Sequence, residues 1–302
     1  MSVAEHLASQ QLVVVTGKGG VGKTTLAAVL GRLLAAVGRR VLLLEVDPRE
    51  SLHQLLGVPP SGGETIEAGP RLWLQNLQPR AVIEGLVREK VPVPMIAKKI
   101  IGSPVFQHFV DGAPGLREMA VLGYALRAVR GEYRRKVDMV VLDAPATGHG
   151  ASMLSAPMLL AEAIGGGQIG AMAADLAGFI ADPSRCGVVL GALAEEMPVQ
   201  EAIELIALLN DRMSRPPEVV IVNALHPPLP PAKARPPAGL APAVALWSRR
   251  REANERELQR LRSCWKGPLV RLPLLPLDPG PALLAGLQDR LRAELDRLGA
   301  GS

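Results

Sequence analysis

Six stretches of the chain, residues 12–16, 41–47, 139–143, 187–193, 219–223 and 269–275, are apolar through most of their length instead of alternating apolar and polar positions. That pattern predicts strands buried on both faces, as in a mainly parallel sheet. A weaker run at 72–78 predicts an edge strand. Between them, helical spacing of apolar positions marks 23–37, 116–129, 200–209 and 283–298, and a mixed-charge helix at 248–262. The proline-rich segment 227–242 predicts an exposed loop. Strands alternating with longer helices indicate an α/β fold, a mainly parallel twisted sheet flanked by helices. With no internal repeat and no clear boundary, residues 1–302 are expected to form one domain. It would carry a helical insertion at roughly 80–135 and a low-charge, methionine-bearing helical segment at roughly 150–181.

The first strand runs directly into GKGGVGKTT, residues 17–25, and then a helix. Gly17, Gly22, Lys23 and Thr24 stand in the G-x-x-x-x-G-K-[ST] register of a phosphate-binding loop. Glycines let backbone N–H groups converge on phosphate oxygens, and the helix N-terminus adds partial positive charge. The loop Gly17, Lys18, Gly19, Gly20, Val21, Gly22, Lys23, Thr24 and Thr25 is therefore expected to bind ATP. Lys23 would reach the β- and γ-phosphates, and the Thr24 hydroxyl would ligate Mg²⁺. Phosphoryl transfer further needs acidic groups at neighbouring strand ends. Asp47 and Asp143 close two of the apolar runs, and each has the alternative reading of a helix cap. Asp143, after four apolar residues, is a candidate Mg²⁺ site.

Charge and composition narrow the classes. The formal charge is +5, carried by 26 Arg and eight Lys, and mean hydropathy is +0.20. Eight aromatic residues in 302 supply few stacking platforms, so no nucleic acid partner is expected. Cys186 and Cys264 make neither a disulfide framework nor a four-ligand zinc site, and each reads as a buried small hydrophobe. The N-terminal residues lack a basic and apolar targeting pattern, and no run of 18 uncharged apolar residues occurs. A cytoplasmic protein is expected.

Lys18, one residue into the loop, is not required by an ordinary phosphate loop. KGGVGKTT resembles the deviant Walker A of the class containing MinD, ParA, the nitrogenase iron protein and the arsenite-pump ATPases. In that class this lysine reaches the nucleotide of the facing subunit, so the resemblance implies a nucleotide-sandwich dimer. DPRESLHQLLG (47–57) and DAPATGHGASMLSAP (143–157) resemble switch I and switch II of the ArsA/Get-type ATPases, bacterial branch. This resemblance implies that Asp47 polarises the attacking water and that Gly148 and His149 belong to the γ-phosphate sensor. Segments 113–123, 192–205, 222–228 and 272–287 extend it, implying that Asn223 binds adenine and Glu195 lies at the nucleotide.

The C-x-x-C of the zinc-linked eukaryotic targeting factor, the arsenite-sensing cysteines and the iron–sulfur ligands of the nitrogenase type are all missing. The resemblance then implies an ATP-hydrolysing molecular switch, a homodimer or a heterodimer with a paralogue, coupled to a partner or hydrophobic protein client. Residues 150–181 are the candidate client surface, and membrane contact is expected only through a partner or client. Two other readings stay open: a MinD/ParA-like positioning ATPase, and a low-turnover ATP-binding subunit.

Overall fold

The computed structural model describes residues 2–47, 49–145, 150–213, 215–229 and 238–300. Eight strands among them form one sheet: β1 (Leu12–Thr16), β2 (Val41–Glu45), β3 (Ile66–Gly69), β4 (Leu72–Asn76), β5 (Met139–Asp143), β6 (Cys186–Leu193), β7 (Val219–Leu225) and β8 (Leu269–Pro273). Their order is β3-β4-β2-β5-β1-β6-β7-β8, parallel throughout except for the β3–β4 pair. Residues 72–76 are therefore not the edge expected from sequence, because β3 turns back antiparallel and covers them.

Twelve α-helices flank the described sheet: α1 (Val3–Ser9), α2 (Lys23–Ala36), α3 (Leu52–Leu56), α4 (Pro79–Lys90), α5 (Pro94–Ile101), α6 (Pro104–Gly112), α7 (Leu116–Val129), α8 (Gly150–Ile164), α9 (Gly167–Ala181), α10 (Glu196–Met213), α11 (Ala241–Cys264) and α12 (Pro281–Ala300). The strand pleat explains why the strands are apolar throughout. Val13, Val15, Leu43 and Val141 point to one face, against α2 and α12. Leu12, Val14, Leu42, Leu44 and Val140 point to the other, beneath α7, α8 and α9.

On the first face, Leu284, Leu287, Leu291 and Leu295 of α12 are buried against α2. Burial of such a side chain stabilises the fold by about 1.5–3 kcal/mol. The apolar stripe of this last helix is thus spent on the core. On the second face, Met153 is buried, Met158 half-buried and Met172 exposed. Residues 150–181 therefore supply core helix along one side and exposed apolar side chains, Leu159, Ile164, Ile169 and Met172, elsewhere. Cys186 is buried as expected, whereas Cys264 is exposed at the end of α11, which corrects the sequence expectation.

Candidate functional site

The phosphate loop lies between β1 and α2, where β1 runs between β5 and β6 in mid-sheet. Two of its glycines are required by contact as well as by conformation. Gly17 has φ +144°, and a Cβ there would lie 2.3 Å from the Gly191 carbonyl oxygen of β6. Gly22 has φ +89°, and a Cβ would lie 2.5 Å from Asn223 Nδ2. The Asn223 amide donates to the Val21 carbonyl at 3.1 Å, so the end of β7 straps the loop in place. Its Oδ1 accepts from the Ala224 N–H at 2.9 Å. Ala224 itself takes φ +53°, where the β7–β8 register shifts.

Lys23 opens α2 and is buried, its Nζ donating to the Lys18 carbonyl at 2.9 Å. Burial pulls its pKa down, and the nearby Asp143 charge opposes that. The Thr24 hydroxyl lies beside the Asp143 carboxylate and favours its charged form. Asp143 is only 6% exposed, and burial pushes its carboxyl up to about 7. Glu45 and Asp47 push the same way, while Thr24 and Lys23 pull down.

The sheet sets Glu45 beside Asp143, in register at the ends of β2 and β5. Glu45 is buried and its carboxylate accepts from the N–H groups of Ser51 at 2.7 Å and Leu52 at 3.2 Å, holding the start of α3. Burial raises its pKa despite those bonds. β2 ends at Glu45, so Asp47 does not close the strand but stands two residues beyond it. Asp47 is exposed, its Oδ1 accepting from the Arg49 N–H at 2.8 Å and its carbonyl from Asn76 Nδ2 at 2.6 Å. Asp47 does not cap the helix after it, since Glu45 holds the start of α3, whereas residues 146–149, between Asp143 and α8, lie outside the described residues.

Lys23, Thr24 and Asp143 are thus brought together, with Asn223 joined to them through the loop backbone. Glu195 is exposed between β6 and α10. Gly148 and His149 lie outside the described residues. Lys18 Nζ pairs with the Glu201 carboxylate on α10 of the same chain. Glu45, Asn76, Gly191 and Glu201 were not singled out from sequence. Only Gly191 carried a local signal, a glycine inside an apolar strand.

Thr24 and Asp143 fit a hard divalent cation such as Mg²⁺. Asp143 Oδ1 is a buried carboxylate oxygen without a hydrogen-bond partner, next to a hydroxyl. Among the described residues no three His, Cys, Asp or Glu side chains converge as a metal site, so phosphate oxygens and water would complete the coordination. A cleft of about 620 Å³, lined by Val46, Glu50, Asn76, Arg80, Arg117 and Met153, connects the segment after β2 to the helices α4, α7 and α8.

The family model of the anion-transporting ATPases matches residues 10–176. ATPase BagA of Mycobacterium tuberculosis is 33% identical over 228 residues, 72% of this chain and 66% of that protein. The arsenical pump-driving ATPase of Escherichia coli is 27% identical over 268 residues, 79% of this chain and 42% of its own. ATPase GET3 of Ajellomyces dermatitidis is 30% identical over 158 residues, 51% of this chain and 45% of its own. The aligned region thus spans just under two thirds of the mycobacterial relative and less than half of the others. With the phosphate loop, the flanking parallel strands and the matched region all in one order, the chain belongs to the anion-transporting ATPase (ArsA) family.

Proposed function

We propose that the chain is a Mg²⁺-dependent ATPase that acts as a dimeric switch, as a homodimer or with a paralogue, coupling ATP hydrolysis to binding of a partner or hydrophobic client. The observation that carries this reading is the convergence of buried Lys23, Thr24 and the unpaired Asp143 oxygen at one glycine-built loop. Loop N–H groups from Gly17 to Thr24 bind the phosphates, and Lys23 neutralises charge that grows on the γ-phosphoryl oxygens. Thr24 and Asp143 would hold Mg²⁺, which would supply positive charge against the negative charge of the phosphates. Asp47, exposed and free of the strand, orients a water that attacks the γ-phosphorus. The bond to the β–γ bridging oxygen breaks, leaving ADP and phosphate. Lys18 leaves Glu201 and reaches the nucleotide on the facing subunit. Asn223 reads the adenine edge while keeping the loop strapped, and Glu195 lies at the nucleotide.

Motion reaches the partner surface through the cleft. Val46 and Glu50 line that cleft with Arg80 of α4 and Arg117 of α7, so a shift of the segment after β2 would be passed on to both helices. Phosphate release tests the reading, measured with and without Mg²⁺ for the native chain, Lys23→Ala and Asp47→Ala. Both substitutions are expected to lower turnover at least about 100-fold. Full activity in Lys23→Ala would overturn the site, and full activity in Asp47→Ala would overturn the water-positioning role.

A further inference from the structure

Helices α5 and α6 leave an apolar surface uncovered. Each carries an exposed i,i+4 pair that lies along one helix face: Ile96 and Ile100 on α5, Val105 and Phe109 on α6. Met95 is 82% exposed and Val93 49%. The only residue α5 buries is Ala97. Helices of eight and nine residues are marginal in water without packing, so these two depend on the contacts of Ala97, Phe106 and Val110.

The charge around this surface has one sign. From residue 90 to residue 110 there is no Asp or Glu, while Lys90, Lys98 and Lys99, three of the chain's eight lysines, are all exposed. None of the three makes an ion pair among the described residues. The acidic residues that bound the segment are already engaged: Glu89 with Arg127, Asp111 with Arg80 and Arg117.

We propose that α5 and α6 dock on an anionic phospholipid bilayer surface, with Ile96, Ile100, Val105 and Phe109 entering the interface and the lysines pairing with lipid phosphates. Short helices with an apolar face and a basic fringe lie in the plane of a membrane interface, and long lysine stems reach headgroups from its edge. No helix among the described residues is long and apolar enough to cross a membrane, so the contact is peripheral. A second copy of the chain suits the surface poorly, because symmetric docking would bring the same lysines together. Such contact would be direct, in place of the membrane contact through a partner or client expected from the sequence.

Vesicle flotation tests it with the full chain on neutral phosphatidylcholine and on phosphatidylcholine containing 30% phosphatidylglycerol, a composition of about one charge in three lipids. The native chain should float with the anionic vesicles at least about tenfold more than with neutral ones, and high salt should weaken this. Ile96→Asp with Phe109→Asp should abolish flotation. Lys98→Glu with Lys99→Glu should lower it about tenfold or more. All these positions are exposed, and an unchanged thermal melt verifies that each variant folds. Equal recovery on both vesicle types, or variants that float like the native chain, would overturn the proposal. So would absence of flotation together with self-association that Phe109→Asp removes, which would assign the surface to a second copy.

Discussion

Lys18 and Glu201, 183 positions apart, form an ion pair within one chain, so the lysine expected to serve a facing subunit is held at home. The lysine is about half exposed, and such pairs contribute about 0–1 kcal/mol. Glu201→Gln should therefore tighten ATP-analogue-dependent dimerisation by up to about fivefold. Lys18→Ala should remove the dependence on nucleotide. Sedimentation velocity with a non-hydrolysable ATP analogue reads both, and unchanged dimerisation in Glu201→Gln would show that the pair restrains nothing.

Asn223 and Gly22 are coupled through the loop. Removing the Asn223 amide frees the Val21 carbonyl, so Asn223→Ala should weaken ATP binding by about 1 kcal/mol, roughly fivefold. Gly22→Ala meets both a 2.5 Å contact with that amide and a φ of +89°. Its cost should be larger, and only partly relieved when Asn223 is also Ala, since the backbone strain persists. Calorimetric titration of the single and double variants gives the coupling directly.

Gly191→Ala should destabilise the fold, because a Cβ would lie 2.8 Å from the Leu26 side chain under the loop. Overpacking of this kind costs about 1–3 kcal/mol. Urea unfolding checks the magnitude, and nucleotide affinity should fall with it, as Leu26 sits in the first turn of α2.

Asp143 makes stability depend on pH in a direction unusual for a carboxylate. Folded, it keeps its proton up to about pH 7, while an unfolded aspartate releases it near 4. Between those values the folded state binds more protons, so its contribution falls as pH rises and is fully lost above about 7. Asp143→Asn removes that loss. Its stability relative to the native chain should grow by roughly 2–3 kcal/mol at most between pH 5 and pH 8, in buffer without nucleotide or Mg²⁺. ATPase activity should vanish in the same variant. Thermal melts at the two pH values decide it. By the same argument Mg²⁺ must displace a proton below about pH 7, so its apparent affinity should fall as the medium is acidified.

What could be read along the chain was whatever is written locally. The strands around the loop are apolar on both faces, because alternate residues feed two different cores, and this shows as unbroken runs. Lys23, Thr24 and Asp143 were legible because phosphate chemistry fixes their spacing to a strand end or a helix start. β3 was not, since its four residues are only partly buried and form no apolar run. Asp47 was placed on the strand because a single buried carboxylate, Glu45, does not interrupt an apolar run; its use at the start of α3 emerges only when the chain turns. Glu201 and Asn254 depend on how α10 and α11 sit on the sheet, which no short segment encodes.

The buried side chain of Asn254 on α11 donates to the Ala194 carbonyl at 2.8 Å and accepts from the His226 N–H at 2.9 Å. The turns after β6 and β7 are therefore bolted to each other by a helix from outside the sheet. Asn254, Leu258 and Leu261 are the residues that helix buries. Its departure needs only a local opening, far cheaper than global unfolding. The amide of His226 should then exchange with deuterium at the rate of that opening, and slow when nucleotide fixes the neighbouring Asn223. The His226 backbone proton would serve as a gauge of how tightly the turns after β6 and β7 are held together.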